Sequence, residues 1–300
     1  MRYKYELLKG SKHFICPACH HKTFKPYVLS EDGKTWAGNE FGRCERINSC
    51  GYLKYPNFNN YNNFNNYKKM SEIEIKKNIK NLTPDYIDKT IVEDTFNNFK
   101  NNIFARYIIR NLGSETFFKL QEKYNIGTAK NGGTIFWQQD INGNFRTGKV
   151  IYYKPDGHRD KGKGTWFVHK KIKENFNLKQ CFFGEHLLKD LNENQKVALC
   201  ESEKTAVLMS VFEPDYIWLA TGGAEMLNAE RLRLLTDVNL TVYPDNGQFN
   251  KWLIKTRFIK NRKMNYEVEE AVKNNLLPAG SDILDLYLLK IDFNNYKKIK

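Results

Sequence analysis

The segment Val197-Ala198-Leu199-Cys200-Glu201-Ser202-Glu203-Lys204-Thr205-Ala206 decides the fold. An apolar run ends in an acid and passes, without a spacer, into a helix-forming stretch. It predicts a strand over 196–201 and a helix over 203–212. A second acidic strand end follows one unit later, Leu240-Thr241-Val242-Tyr243-Pro244-Asp245, leading into Asn246-Gly247. Between them the pattern predicts a strand over 216–221 and a helix over 224–235. A basic, aromatic helix is expected around 251–260 and a closing helix over 282–289. Strands alternating with helices build a parallel sheet covered by helices. At the carboxyl edge of such a sheet, acids on neighbouring strands face one crevice where ligands bind. Glu201 and Asp245 are therefore candidate ligands for Mg²⁺ or Mn²⁺, since Mg²⁺ takes carboxylates together with substrate phosphates.

Upstream the grammar differs. Thr83-Pro84 looks like a helix start, with Thr83 as cap and Pro84 in the first turn. Phe96, Phe99, Ile103, Phe104, Tyr107 and Ile108 recur at helical spacing. Thr134–Gln139 and 149–153, on either side of Asn142-Gly143, read as an antiparallel hairpin. The run 56–67, Pro-Asn-Phe-Asn-Asn-Tyr-Asn-Asn-Phe-Asn-Asn-Tyr, reads as a flexible linker, because Asn competes with regular backbone hydrogen bonding.

Ahead of that run, Cys16-Pro17-Ala18-Cys19 and the pair Cys44 and Cys50 have the form of a zinc ribbon. Each pair can hold one side of a tetrahedral Zn²⁺. The second pair has five intervening residues instead of two, and His20 and His21 stand nearby as alternative ligands. Lys22, Lys25, Lys34, Trp36, Arg43 and Arg46 surround the ligands, a composition suited to phosphate contact and base stacking. Cys181 and Cys200 lie in apolar strand patterns and belong to the core.

The chain holds 48 Lys and Arg against 34 Asp and Glu, a formal charge of +14. A surplus of this size points to a polyanionic partner, nucleic acid above all. No stretch approaches the roughly 20 apolar residues that span a membrane, and Met1–Glu6 holds no apolar signal core. The expectation is a soluble cytoplasmic protein with reduced cysteines.

At its acidic motifs the chain resembles the DnaG-type primases of bacteria and phages, and among them the compact primase-like proteins of Bacteroidetes phages and mobile elements. Glu201-Ser202-Glu203-Lys204-Thr205 is similar to the first motif of their Toprim domain, Glu-Gly-x-x-Asp. Asp245-Asn246-Gly247 is similar to the third, Asp-x-Asp, and Ala220-Thr221-Gly222-Gly223-Ala224 to the glycine turn between them. Phe182–Leu188 resembles the lead-in to the first Toprim strand, and 152–164 takes the place of the small basic subdomain. The resemblance implies a zinc ribbon over 1–55, a linker over 56–80, a basic α+β subdomain over 81–188 and a Toprim-like α/β domain over 189–300. It implies primer synthesis on single-stranded DNA from ribonucleotides, with one Zn²⁺ and Mg²⁺ or Mn²⁺ at Glu201 and Asp245.

The chain departs from the family at two positions, Thr205 and Gly247, where the motifs carry Asp. Asp282 and Asp285, one helical turn apart, are candidate replacements or else helix-start residues. Glu203 is a candidate supporting carboxylate and Lys204 a candidate phosphate ligand. Arg106, Arg110, Arg146, Lys149, Arg159, Lys161 and Lys163 are candidates for a surface that holds template and triphosphate, with His158 a further phosphate contact or a structural residue. Two other readings stay open: a Toprim nuclease using the same carboxylates, and a nucleic-acid binder without catalysis, which the two departures favour. No Gly-rich phosphate loop of the form Gly-x-x-x-x-Gly-Lys-Ser/Thr is present, so unwinding would need a separate helicase or replication protein.

Overall fold

The computed structural model describes residues 4–46, 50–56, 83–192 and 195–290. The expected linker over 56–80 lies, apart from residue 56, outside them. The chain divides into two compact units, Met1–Lys76 and Lys77–Lys300.

The first unit is an antiparallel sheet of β1 (Tyr5–Leu7), β2 (Phe14–Ile15), β3 (Lys22–Leu29), β4 (Gly42–Cys44) and β5 (Leu53–Lys54), with the long β3 at its centre. A side chain on Gly42 would stand 2.4 Å from the Phe24 ring and from the Lys25 carbonyl. Glycine is needed there for β4 to close on β3. The core is small: Cys16, Phe24 and Cys44 are buried, with Phe14, Cys19, Cys50 and Tyr52 around them.

The second unit opens with α1 (Lys89–Glu93), capped by the Asp88 carboxylate, which accepts from the Thr90 N–H. The helix expected at Thr83-Pro84 does not form. Asp85 N–H donates to the Asn177 carbonyl and Ile87 N–H to the Phe145 carbonyl, so this stretch is held extended by tertiary pairing. A 3₁₀ turn, Phe99–Asn101, precedes α2 (Ile103–Leu112). The break comes from Asn102, whose side chain accepts from Phe104 and Ala105 N–H and restarts the helix. Then follow α3 (Ser114–Tyr124), β6 (Ile126–Thr128), β7 (Thr134–Gln139), β8 (Phe145–Ile151), β9 (Trp166–Phe167) and α4 (His169–Ile172). The four strands form an antiparallel sheet in that order, with the expected hairpin at its centre.

The remaining elements are β10 (Lys196–Cys200), α5 (Glu203–Phe212), β11 (Tyr216–Ala220), α6 (Ala229–Leu232), β12 (Asn239–Val242), α7 (Phe249–Lys255), β13 (Arg262–Met264), α8 (Glu267–Lys273) and α9 (Ile283–Lys290). Their sheet has the order β11-β10-β12-β13 and every pairing is parallel. Alternation along the strands explains why both faces are covered. Val197, Leu199, Leu219, Leu240 and Val242 enter one core with Trp252 and Leu232. Ala198, Cys200, Trp218 and Ala220 enter another with Phe104, Phe117, Tyr124 and Phe136 from the antiparallel half. Cys181 and Cys200 are buried, as expected.

The helix expected over 224–235 is broken into a 3₁₀ turn (Ala224–Met226), α6 and a second 3₁₀ turn (Arg233–Leu235). Asn228 caps α6 by accepting from Arg231 N–H, and the Arg231 guanidinium takes the carbonyls of Thr221 and Met226. Among the described residues no helix is long and apolar enough to cross a membrane.

Candidate functional site

The zinc centre is built by two turns of the first unit. Cys16 follows β2 and Cys44 ends β4, and the Cys16 carbonyl accepts from His20 N–H to close the first knuckle. The Sγ atoms of Cys16 and Cys50 lie 3.7 Å apart and those of Cys19 and Cys44 3.9 Å apart. All four lie within 4.8 Å of one another. A tetrahedron with Zn–S of about 2.3 Å sets its sulfurs roughly 3.8 Å apart, so the thiolates fit Zn²⁺ directly. His20 and His21 are not in the group; His21 Nδ1 bonds the Cys19 carbonyl. Burial raises the Cys16 and Cys50 thiols, Cys50 to about 12. At Cys19 burial acts in the same sense but is outweighed by hydrogen bonds from the His21 N–H and the neighbouring thiols, which bring it to about 6. Of the expected nucleic-acid residues here, Trp36 packs edge-on against Phe14, and Arg43 pairs with Glu45.

The acidic crevice lies at the carboxyl edge of the parallel sheet. Glu201 follows the last residue of β10, and Asp245 lies three residues beyond β12, the neighbouring strand. The Tyr243 N–H donates to the Leu199 carbonyl and extends the pairing toward the acids. Asp245 makes no side-chain hydrogen bond among the described residues. Burial, followed by the negative charges of Glu201, Asp282 and Asp285, pushes its carboxyl up to about 9. Burial also raises Glu201, opposed by the Ala224 N–H and by Lys149. It raises Asp282 too, Asp285 adding to the effect and Thr205 opposing it. Asp282 and Asp285 are thus gathered at the crevice. They also cap α9 reciprocally: Asp282 N–H donates to Asp285 Oδ2 and Asp285 N–H to Asp282 Oδ1, each at 3.0 Å.

Both departures from the acidic motifs have structural partners. Thr205, buried on α5, donates its hydroxyl to Asp282 Oδ2 at 2.5 Å. Gly247 has φ of +82° and no side-chain role, while its N–H and the Asn246 amide both donate to the Glu269 carboxylate at 2.7 Å. Asn246 in turn holds the loop before Asp282: its N–H donates to the Ser281 carbonyl and its Oδ1 accepts from Gly280 N–H. The Asp245-Asn246-Gly247 turn therefore carries the loop that delivers Asp282.

Glu203, in the first turn of α5, is 1% exposed and pairs with Lys149 from β8 at 3.0 Å. Lys149 Nζ also donates to the Gly222 carbonyl at 2.7 Å. Gly222 has φ of +81°, and a Cβ there would meet Glu203 Oε1 at 2.9 Å, so this turn requires glycine. Arg231, 8% exposed, donates to the carbonyls of Thr221, Met226 and Cys181 and lies over the Phe182 ring. Lys149 and Arg231 together fix the turn next to Glu201.

The basic candidates separate into two groups. Lys149 is turned inward, Arg146 is bound to Asp140 at 2.7 Å and is largely buried, and Lys204 donates to the Gly157 carbonyl at 3.2 Å. These three act within the fold, because each finds a carboxylate or carbonyl in a neighbouring element. Arg106, Arg110, Arg159, Lys161 and Lys163 are exposed, as is His158. Arg110 bonds the Pro155 carbonyl, Arg159 bonds the Thr165 hydroxyl, and Lys163 lies over the Tyr152 ring. Glu269 and Arg231 went unrecognised in the sequence. Neither sits in a motif, and their roles depend on turns distant from them along the chain.

Among the described residues the four cysteines are the one group of three or more ligand atoms within 4.8 Å; no three crevice carboxylates come that close. The crevice nevertheless offers carboxylate oxygens, partly buried and mutually repelling, a donor type that suits a hard divalent cation.

Residues 1–65 match a zinc beta-ribbon finger family. Residues 102–246 match a family described as a domain of unknown function, DUF6371, and this span includes Lys149, Glu201, Arg231 and Asp245. No curated protein matches the chain. The chain is also similar to the primase fragment of the bacteriophage T7 primase-helicase protein, with 16% identity and a TM-score of 0.39 over 61% of this chain and 70% of that one. A second similar chain comes from the bacteriophage T7 lagging-strand DNA polymerase structure with primase domains bound to an RNA/DNA hybrid and dTTP. It shows 16% identity and a TM-score of 0.39 over 60% of this chain and 83% of that one.

Proposed function

We propose that the chain is a primase-like enzyme that joins ribonucleotides on a single-stranded DNA template. The observation that carries this reading is the pair Glu201 and Asp245 at the ends of adjacent parallel strands, with Asp245 raised to about 9 by burial and by its acidic neighbours. A carboxyl in that state is short of positive charge, which Mg²⁺ or Mn²⁺ provides. When bound, the metal would neutralise phosphate charge and favour the attacking 3′-hydroxyl. Glu201 and Asp245 are its proposed ligands, and Asp282 and Asp285 supply further negative charge beside them. Lys149 and Arg231 orient the turn that borders Glu201. The exposed Arg159, Lys161 and Lys163, with Arg106 and Arg110, are proposed to hold phosphates without reading sequence. The zinc ribbon is proposed to contact the template, with a separate helicase opening the duplex.

The test incubates the protein with single-stranded DNA, labelled ribonucleotides and Mg²⁺ or Mn²⁺. Short labelled products that disappear in Glu201→Gln and Asp245→Asn support the reading. Shortened template with no new product points to a nuclease.

A second reading is a metal-binding protein that holds single strands without joining nucleotides. The observation favouring it is that Gly247 and Thr205 bring no carboxylate, so the crevice is poorer in ligands than its motifs imply. Retained Mg²⁺ and DNA binding with neither longer nor shorter products selects it.

A further inference from the structure

The antiparallel sheet carries a feature on the side that faces away from the acidic crevice. Phe136 enters the core shared with the parallel sheet, while Ile135, Trp137 and Val150 point to the other face. That second face is not fully covered. Two open cavities of about 510 and 540 Å³ lie on it, and both are lined by Asn131 and Trp166. The larger adds Tyr152 and Lys163; the other is mostly apolar and is lined by Ile135, Trp137 and Val168, with Asp94 its one acid. Trp166 is thus the aromatic wall common to both, on β9, the edge strand of the sheet.

The aromatic groups are fixed in place. Trp166 Nε1 donates to the Tyr152 hydroxyl at 3.2 Å. Lys171 Nζ lies 5.2 Å from the centre of the Trp166 ring, and Lys163 Nζ lies 5.3 Å from that of Tyr152. Lys130, Lys163 and Lys171 are all exposed, and none has an ion-pair partner among the described residues. Fixed aromatic faces alternating with unpaired lysines are the chemistry that holds single-stranded nucleic acid: bases stack, and phosphates meet cations. A cavity with Trp137 and Ile135 on its walls and Thr95, Thr128 and Asn98 among its polar groups has room for one unstacked base.

We propose that this face is a second contact for single-stranded nucleic acid, with Trp166 as its stacking residue. The proposal rests on reading the chain as one that handles single strands, but it requires neither the acidic crevice nor catalysis.

The test uses the full zinc-loaded chain without added Mg²⁺. Fluorescent single-stranded oligodeoxythymidylate and oligouridylate are titrated into the native protein, Trp166→Ala and Lys130→Glu/Lys171→Glu, with duplex DNA as a control. 5-Iodouracil-substituted oligonucleotides are crosslinked in parallel and the adduct is mapped. Expected are a five- to hundredfold weaker affinity of both variants for single strands, a smaller change for duplex, and adducts on Trp166 or Tyr152. The relative losses for the two oligonucleotides decide between DNA and RNA as ligand. The charge-reversed variant alters only exposed lysines, so it tests the site even if Trp166→Ala unfolds. Native affinity in that variant, or adducts confined to other segments, overturns the proposal. Crosslinking at Trp166 in a protein that makes no primers upholds this site and removes the primase reading. Primer synthesis with no adduct here does the reverse.

Discussion

The Thr205 hydroxyl on α5 donates to Asp282 Oδ2 at the start of α9, joining residues 77 positions apart beside the acidic crevice. Thr205→Val keeps the shape and removes the donor, leaving a partly buried carboxylate short of one bond. The expected loss is about 1–3 kcal/mol, read from urea unfolding, with weaker Mg²⁺ binding in calorimetry. Thr205→Ser restores both.

The crevice gives the second unit an unusual response to pH. Asp245 has a folded-state value of about 9, above the roughly 4 of an unfolded aspartate. Its protonation therefore contributes stability that is complete below about pH 4 and lost as pH rises toward 9. Glu201 and Asp282 are shifted in the same direction. Zinc-loaded protein in Mg²⁺-free buffer is expected to lose melting temperature from these groups between about pH 5 and pH 8. Added Mg²⁺ should raise it more at the higher pH. Asp245→Asn should flatten the pH dependence and shrink the Mg²⁺ effect; an unchanged profile would falsify the assignment of Asp245 as the main titrating group.

Lys149 and Glu203 form a pair that is 12% and 1% exposed. Lys149→Met leaves a buried carboxylate without its cation and is expected to cost about 3–5 kcal/mol. Lys149→Met/Glu203→Leu should recover most of that stability, because the charge and its partner leave together. If the Gly222 turn depends on Lys149, Mg²⁺ affinity stays reduced in the double variant. Denaturant unfolding and calorimetry on the two variants separate the effects.

Zinc removal should act on one unit. A chelator is expected to unfold β3 and β4, seen as loss of amide protection over 22–29, while β10–β12 keep theirs. Burial raises the Cys16 and Cys50 thiols, so binding releases protons and the affinity falls as pH falls. Cys44→Ser should reproduce the chelated state.

Legibility followed the range of the interactions. The segment 196–212 was readable because alternation along β10 and the acid at its end are local properties, and strand and helix fall where the pattern puts them. The hairpin at Asn142-Gly143 was readable for the same reason. Thr83-Pro84 misled because a capping pattern competes with pairing to Phe145 and Asn177, partners the local sequence does not reveal. The helix expected over 224–235 broke because Asn228 and Arg231 redirect its hydrogen bonds. At the crevice, Glu201 and Asp245 were visible as acids closing apolar runs, although β12 stops at Val242, three residues short of Asp245. The inward turn of Lys149 and the hold of Glu269 on Gly247 were not, since a lysine in a strand and a glutamate in a helix look the same whether they meet solvent or a distant turn.

The reciprocal cap between Asp282 and Asp285 gives the crevice a built-in spectroscopic reporter. The Asp285 amide proton is bonded to the same carboxylate that Thr205 holds beside Asp245. Anything that draws electron density from Asp282 alters that proton's chemical shift and its exchange with water. One backbone resonance at the start of the last described helix therefore reads the electrostatic state of a pocket formed by strands far earlier in the chain.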